Sequence, residues 1–481
     1  MLGRTRRIHF VGVGGIGMSG IAELLANLGY EVTGSDAKRS DVTERLEGLG
    51  VRVSAGHDAV HVGAADVVVT SSAIRLDNPE VSEARRRQIP VIPRAEMLAE
   101  LMRLRYGIAI AGAHGKTTTT SMVALVLERA GLDPTAVIGG KLSAFGSNAR
   151  LGRGDYMVVE ADESDRSFLK LSPAIAVITN LDHEHMESYG SWENLQQAFV
   201  DFANKVPFYG AVVACIDDVS VRELLPRLTR RVITYGLNGS AANILGTNMR
   251  LEAFGSGCRV MQQSADGARN TLGTLHLRVP GRHNLLNSLG AVAVGLEAGV
   301  PFGRIAAALD EFRGADRRFQ MRGEEQGVMV VDDYGHHPTE IAAVIAAARA
   351  GIDRRVVVVF QPHRYSRTNQ LLREFGTALS AADEVVLTDI YAAGEDPIDG
   401  VTIEAVAEAV RSVGRCPVHV VKHLQALPAM VAGIARRGDL VITLGAGSIG
   451  TVADRILGEL RTARPAGSST DATNMQRGER G

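Results

Sequence analysis

Cysteine is scarce: Cys215, Cys258 and Cys416 are the three in 481 residues, far apart and with no Cys-x-x-Cys spacing. That excludes a disulfide framework and a zinc ribbon, and a reducing cytoplasm is the expected location. An excess of charge of one sign is lacking as well. The formal net charge is −2, which leaves no global basic field for nucleic acid, and Arg4, Arg6 and Arg7 are too few to make one. Long hydrophobic runs are absent too. Residues 8–28 come nearest, but five glycines break them and they read as strand then helix, so neither a signal peptide nor a membrane span is expected. What is present, 45% apolar and 22% charged residues, is the composition of a soluble globular enzyme.

The length suggests about three domains of roughly 150 residues each. Val- and Ile-rich runs alternate with helical patterns, which predicts parallel sheets built from βαβ units and an α/β fold. A first set of strands at 8–13, 31–35, 51–53, 67–71 and 91–93 makes a Rossmann-like domain over 1–106. A second domain, 107–316, has a strand from 108, strands at 157–161, 174–179 and 211–215, helices at 118–130 and 284–298, a polar, turn-rich excursion over 238–278 and a closing turn at 314–316. The third, 317–461, has strands at 327–332, 355–360, 384–388 and 440–444 with helices such as 338–349 between them, again doubly wound. From 462 to 481 the chain is Ala, Gly, Ser, Thr, Arg and Pro with almost no large apolar residue, the composition of a disordered tail.

The most informative segment begins at Ile108. An apolar strand runs into Gly112, Ala113, His114, Gly115, Lys116, Thr117 and Thr118 and then into a helix. Glycines let backbone N–H groups converge on an anion, a lysine reaches terminal phosphates, and a hydroxyl ligates Mg²⁺, so this central domain reads as P-loop ATPase-like and ATP is the expected ligand. The loop is shorter than the general Gly-x4-Gly-Lys-Ser/Thr form. The strand at 157–161 ends in acids, Glu160, Asp162, Glu163 and Asp165, where a carboxylate can hold Mg²⁺ beside phosphates; Glu160 is the first candidate. The next strand leads into Asn180, Asp182, His183, Glu184 and His185. Histidine is an unusual magnesium ligand, so His183 or His185 can equally cap a helix or orient a carboxylate.

A second glycine loop, Gly12, Gly14, Gly15 and Gly17, follows the first strand, and Asp36 ends the second. This has the form of a dinucleotide fingerprint. Its physical content is narrower: backbone approach and a helix N-terminus favour a diphosphate, and the acid can accept ribose hydroxyls. Any nucleoside diphosphate satisfies it, so an NAD(P)-dependent oxidoreductase stays open at this point.

Taken in order, the motifs resemble the Mur ligases of peptidoglycan synthesis over roughly residues 8–460. The segments that carry the resemblance are His9-Phe-Val-Gly-Val-Gly-Gly-Ile-Gly-Met-Ser-Gly20, Gly34-Ser-Asp36, Gly112-Ala-His-Gly-Lys-Thr-Thr-Thr-Thr120, Glu160-Ala-Asp-Glu-Ser-Asp165, Pro280-Gly-Arg-His-Asn284, Asp332-Asp-Tyr-Gly-His-His-Pro-Thr339 and Phe360-Gln-Pro-His-Arg-Tyr-Ser-Arg367. The resemblance implies an N-terminal UDP-binding domain, a central ATP-binding domain and a C-terminal domain that closes over both. It assigns Gly14, Gly15, Gly17, Asp36 and Ser71 to the UDP-sugar, Lys116 and Thr117 to phosphate and Mg²⁺, and Glu160 and His185 to Mg²⁺. His283 and Asn284 fall at the adenine; unaided, Asn284 reads as a helix N-cap. Tyr334, His336, Arg364 and Arg367 fall where the third domain meets the sugar nucleotide and the amino acid, and arginines at a strand end suit carboxylate or phosphate capture.

The implied activity is ATP-dependent joining of L-alanine to the lactyl carboxylate of UDP-N-acetylmuramate through an acyl phosphate, with Lys116, Glu160 and His185 as catalytic residues and monomer or homodimer left open. The runner-up reading is a relative that joins a recycled tripeptide to the same sugar nucleotide, and the alternative of another class is the NAD(P)-dependent oxidoreductase. Lys116, Glu160 and His185 argue against a binding protein that has lost ligation. Two departures from the family pattern stand out. Glu184-His185 replaces the usual Asp-His, and Arg166 stands where a small residue is common.

Overall fold

The computed structural model describes residues 3–71, 73–142, 147–237, 241–264, 266–315 and 317–462. Of the tail expected over 462–481, only Thr462 is among them, and it closes the helix Val452–Thr462 rather than starting a disordered segment; the remainder lies outside the described residues. The fold is α/β, and its strands form three sheets. Packing divides the chain into two compact units, Met1–Asp316 and Arg317–Gly481.

Two of the sheets lie in the first unit. The five-stranded one runs in the order Arg52–Ala55, Glu31–Asp36, Arg7–Val11, Val67–Thr70 and Val91–Pro93, with all pairs parallel. The other places Tyr106–Ala111 between Ile175–Ile178 and Tyr156–Glu160, again parallel, with Ala211–Cys215 and Val232–Leu237 beyond. Strands such as Ile175–Ile178 and Ala211–Cys215 are buried throughout, which is why they read as unbroken apolar runs. One apolar core holds Phe10, Ile21 and Leu25 together with Ala109, Met157 and Phe168. The boundary expected between 106 and 107 falls inside the strand Tyr106–Ala111 of the larger sheet, and the two sheets share this core. A second core on the far face of the larger sheet packs Ile108, Met122 and Leu125 against Leu285, Leu289 and Val292 of the helix Arg282–Glu297.

The excursion expected over 238–278 is a correction. It contains three strands, Ile244–Glu252, Gly255–Gln263 and Arg269–Leu277, the last two pairings antiparallel. Cys258, Val260, Leu275 and Leu277 face the core while Arg259 and His276 face out. A sheet solvated on one face carries as many polar as apolar residues, and that dilution reads as loop.

The second unit has six strands in the order Gln320–Glu325, Val328–Asp333, Asp439–Leu444, Arg355–Phe360, Glu384–Leu387 and Val418–Val420; the first pair is antiparallel and the rest are parallel. Among the described residues no helix is long and apolar enough to cross a membrane.

One buried carboxylate supports the first glycine loop from below. Glu80, fully buried, accepts the Ser35 hydroxyl at 2.6 Å and the Asp58 N–H at 3.2 Å, and lies 3.0 Å from His9 Nε2 and 3.2 Å from His61 Nδ1. Ser35 in turn takes the N–H groups of Gly12 and Val13 on its carbonyl, at 2.8 and 2.9 Å. Burial alone would push the Glu80 carboxyl up from its ordinary 4.5, but the contacts with His9, Ser35 and His61 hold it down at about 2. A depressed value means the contribution to stability is complete above about pH 5 and is lost as pH falls towards 2. Glu80→Gln is expected to cost about 1–3 kcal/mol at pH 7, and the gap to wild type in denaturant unfolding should narrow between pH 5 and pH 3.

Candidate active site

The phosphate loop forms where the strand Tyr106–Ala111 gives way to the helix Lys116–Arg129. Gly112 has φ +141°, and a Cβ there would stand 2.0 Å from the Thr179 hydroxyl; Gly115 has φ +80°, and a Cβ would meet Asn287 Oδ1 at 2.5 Å. Both positions need glycine for conformation and for space. The loop is stitched to the end of the neighbouring strand. The Ala113 N–H donates to the Asn180 carbonyl at 3.1 Å and the His114 N–H to Asn180 Oδ1 at 2.7 Å. The His114 carbonyl accepts from Thr179 Oγ1 at 2.7 Å and Asn180 Nδ2 at 3.0 Å, and His114 Nε2 lies 2.8 Å from Asp182. No side chain caps the helix Lys116–Arg129, an arrangement in which an anion can satisfy the first-turn N–H groups. Thr118 is buried in the first turn.

Lys116 folds back over the loop, its Nζ donating to the carbonyls of Gly112 and Ala113 at 2.6 and 3.0 Å and to Glu163 at 2.8 Å. Burial works against its charge, but Glu163 outweighs that and raises the lysine. The Glu163 carboxyl is itself pushed up by burial, with Lys116 opposing. Thr117 donates its hydroxyl to Glu160 Oε1 at 3.1 Å, which brings two of the expected Mg²⁺ ligands together. His185 groups with Glu163 and Glu184, one ligand atom of each lying within 4.8 Å of the others. It occupies the N-cap position of Met186–Tyr189 with φ +57° but makes no capping bond. The His183 ring stacks on Trp192, centroids 4.1 Å apart. Arg166, also left-handed, lays its guanidinium over the Tyr189 ring at 5.4 Å.

The other glycine loop precedes the helix Ile16–Asn27, which likewise has no side-chain cap. Asp36, expected on a ribose, accepts the Gly14 N–H at 2.8 Å; one carboxylate oxygen is committed to holding the loop. Ser71 lies just past the strand Val67–Thr70, and its carbonyl takes the Ile74 N–H at 3.1 Å. A Cβ on Gly17 would stand 2.0 Å from Arg94 Nη1. Between the two loops lies a cavity of about 260 Å³, its wall including Gly17, Arg94, Lys116, Glu160 and Asp162, with Ile21, Leu98 and Phe168 as apolar floor.

At the helix Arg282–Glu297 the expectation of an Asn284 cap is corrected. Gly281 takes the N-cap position with φ +97°, and Asn284, inside the first turn, donates back to the Pro280 carbonyl at 2.7 Å. His283 precedes it on the same turn.

In the second unit, Tyr334, His336, Arg364 and Arg367 fall in one cluster together with His363. The His336 ring lies 5.4 Å from Tyr334 and 5.7 Å from His363, which stacks on Tyr391. Arg364, with φ +72°, donates its N–H to the Tyr391 carbonyl at 2.8 Å and approaches Glu395 at 3.8 Å. His363 Nδ1 and Arg367 Nη1 are buried with no hydrogen-bond partner among the described residues. Burial, then His336 and the two arginines, push His363 down to about 3, so it is a neutral ring at working pH. Buried Asp333 is pushed up to about 6, with Arg318 opposing.

Three family models match in succession: Mur ligase family, catalytic domain, over residues 7–106; Mur ligase middle domain over 110–295; and Mur ligase, glutamate ligase domain, over 317–447. The UDP-N-acetylmuramate–L-alanine ligase of Geobacter sulfurreducens is 55% identical over 97% of this chain and all of its own length. The chain belongs to the Mur ligase family. The ligase of the same name from an Anaeromyxobacter species is also 55% identical, over 95% of this chain and 98% of its own. Among solved structures, the UDP-N-acetylmuramate-alanine ligase of Thermotoga maritima aligns with a TM-score of 0.80 at 30% identity, covering 95% of this chain and 100% of that one. A murein peptide ligase from Psychrobacter arcticus shares the fold, with a TM-score of 0.69 at 24% identity over 95% and 99% of the two chains.

Within this Mur ligase, sequence reasoning quoted Glu163, Asn180 and His363 inside motifs without giving them a part. Arg94 and Asn287 carried no signal, because each reaches its loop from a helix far away in the chain. The two requirements on Gly115 yield a stability test. Gly115→Ala should destabilise by more than about 1 kcal/mol. Gly458→Ala, in the helix Val452–Thr462 where an added Cβ meets nothing within 4 Å, should stabilise by about 0.5–1 kcal/mol. Thermal melts of the two variants compare them directly.

Proposed function

We propose that this protein joins L-alanine to the lactyl carboxylate of UDP-N-acetylmuramate at the expense of ATP, forming ADP and phosphate, in the cytoplasmic synthesis of peptidoglycan precursors. The observation that carries the reading is the cavity shared by the two loops: Gly17 beside one uncapped helix N-terminus and Lys116 and Glu160 beside the other. A sugar diphosphate on the first loop and a triphosphate on the second would meet there. Family membership replaces the oxidoreductase reading, and 55% identity across 97% of the chain favours L-alanine over a recycled tripeptide.

The roles follow as parts of this proposal. Residues 1–106 serve the UDP-sugar through Gly14, Gly15, Gly17, Asp36 and Ser71. Residues 107–316 serve ATP through Gly112 to Thr118, with His283 and Asn284 at the base. Residues 317–461 serve the amino acid and sugar nucleotide through Tyr334, His336, Arg364 and Arg367, in a monomer or homodimer. A carboxylate is a poor acylating agent, so its oxygen first takes the γ-phosphoryl group as ADP leaves; the amine then forms the amide bond as phosphate leaves and a proton passes to a base. Lys116 supplies fixed positive charge where the transferred group becomes more negative. The hydroxyl of Thr117 and the carboxylate of Glu160 are hard oxygen donors already in contact, which suits Mg²⁺, with His185 as the third expected ligand. Bound there, Mg²⁺ would neutralise phosphate charge.

Phosphate release from ATP and Mg²⁺ should require both UDP-N-acetylmuramate and L-alanine; release with D-glutamate or with L-Ala-γ-D-Glu-meso-diaminopimelate in place of alanine would overturn the assignment. Lys116→Ala should abolish turnover while calorimetric binding of the sugar nucleotide persists. Glu160→Gln should raise the Mg²⁺ concentration needed for half-maximal rate, and an unchanged requirement would remove Glu160 from the ligand set.

A further inference from the structure

Arg94 opens the helix Arg94–Met102 directly after the strand Val91–Pro93. Its guanidinium crosses the first turn of the helix Ile16–Asn27 in the space that a Cβ on Gly17 would fill, 2.0 Å from Nη1. The last glycine of the loop thus makes room for a cation. From that seat Arg94 lines the cavity with Lys116, Glu160 and Asp162.

Arg94 Nη2 pairs with Asp162 Oδ2 at 2.5 Å, yet the two side chains keep 28% and 38% of their exposure. The pair forms part of the cavity wall and is not locked in the core. Asp162 has its own support, because Oδ1 accepts the Ser164 N–H at 3.0 Å and its hydroxyl at 2.6 Å, so it can hold position when Arg94 turns to another anion. Lys116, the other cation on this wall, is taken up by Glu163 and two loop carbonyls at the phosphate end. Arg94 therefore stands between the diphosphate loop and the phosphate loop, along the path a carboxylate must occupy to reach a γ-phosphoryl group. A planar guanidinium matches a carboxylate with two parallel N–H···O bonds, which a lysine cannot do.

We propose that Arg94 recognises the lactyl carboxylate of the sugar nucleotide, exchanging Asp162 for it, and is the residue that tells a carboxylate-bearing sugar nucleotide from one without. The proposal rests on the ligase reading above. Holding a ground-state carboxylate strengthens binding of the substrate before any charge moves, so loss of Arg94 should appear in KM more than in kcat.

The test is calorimetric binding of UDP-N-acetylmuramate and of UDP-N-acetylglucosamine, the same sugar nucleotide without the lactyl ether, to the full chain without ATP or Mg²⁺. Wild type should prefer the first. Arg94→Gln should weaken UDP-N-acetylmuramate by about tenfold or more and UDP-N-acetylglucosamine by less than about twofold, the loss of one charge-assisted contact. Arg94→Lys, which keeps the charge if the glutamine variant fails to fold, should retain part of the preference. Equal losses for both ligands would make Arg94 a diphosphate contact, and no loss for either would leave the Asp162 pair a structural one; each result overturns the proposal. Wild type that binds neither ligand would overturn the ligase reading itself, a distinguishable failure.

Discussion

Lys116 is a largely buried cation, its side chain 15% exposed at the N-terminus of a helix, and keeping it charged there is the constraint on which the site depends. An ammonium loses most of its hydration on burial and has to be given other oxygen partners. Here they are Glu163 and two carbonyls of its own loop. Those carbonyls can turn inward because Gly112 and Gly115 adopt positive-φ conformations that favour glycine. The loop stays in that form because Thr179 and Asn180, at the end of the adjacent strand, tie down His114 and Ala113. A phosphate arriving at the uncapped helix would find the lysine already beside it, so little reorganisation stands between the empty loop and a bound anion.

The same logic recurs at the other glycine loop with different chemistry. There the anchors are carboxylates: Asp36 takes the Gly14 N–H, and buried Glu80 holds Ser35, whose carbonyl holds Gly12 and Val13. Each loop is a strand end, a glycine turn and an uncapped helix, and each borrows its rigidity from polar groups on neighbouring strands. Because the two sheets share a core in the first unit, both loops open on one cavity. Under the proposed function, that juxtaposition is what would bring a carboxylate and a triphosphate together.

How much was legible follows from how local each signal is. Parallel strands buried along their length, such as Arg355–Phe360 and Ala211–Cys215, were found within a residue or two because burial on both faces leaves unbroken apolar runs. Thr135–Leu142 and the half-buried Val232–Leu237 and Val418–Val420, also in parallel pairs, were not read as strands. The antiparallel strands between Ile244 and Leu277 were not, since one face is wet and the alternation dilutes the apolar signal. Asn284 was misread as a cap because the helix starts two residues earlier, at Arg282, a shift that only the Gly281 backbone decides. Asp36 was correctly placed at a strand end, but its partner is the loop that precedes it.

By itself the sequence determined the α/β class, the two glycine loops and the lysine, acids and arginines at strand ends, because backbone conformation and strand burial are written in adjacent residues. Tertiary structure decided which side chains those groups would meet. Glu163 on Lys116, Asn287 against Gly115, Arg94 across Gly17 and His363 against Tyr391 join residues 28 to 172 positions apart. Their contacts arise from how helices and strands pack and not from any local preference, so no pattern along the chain announces them.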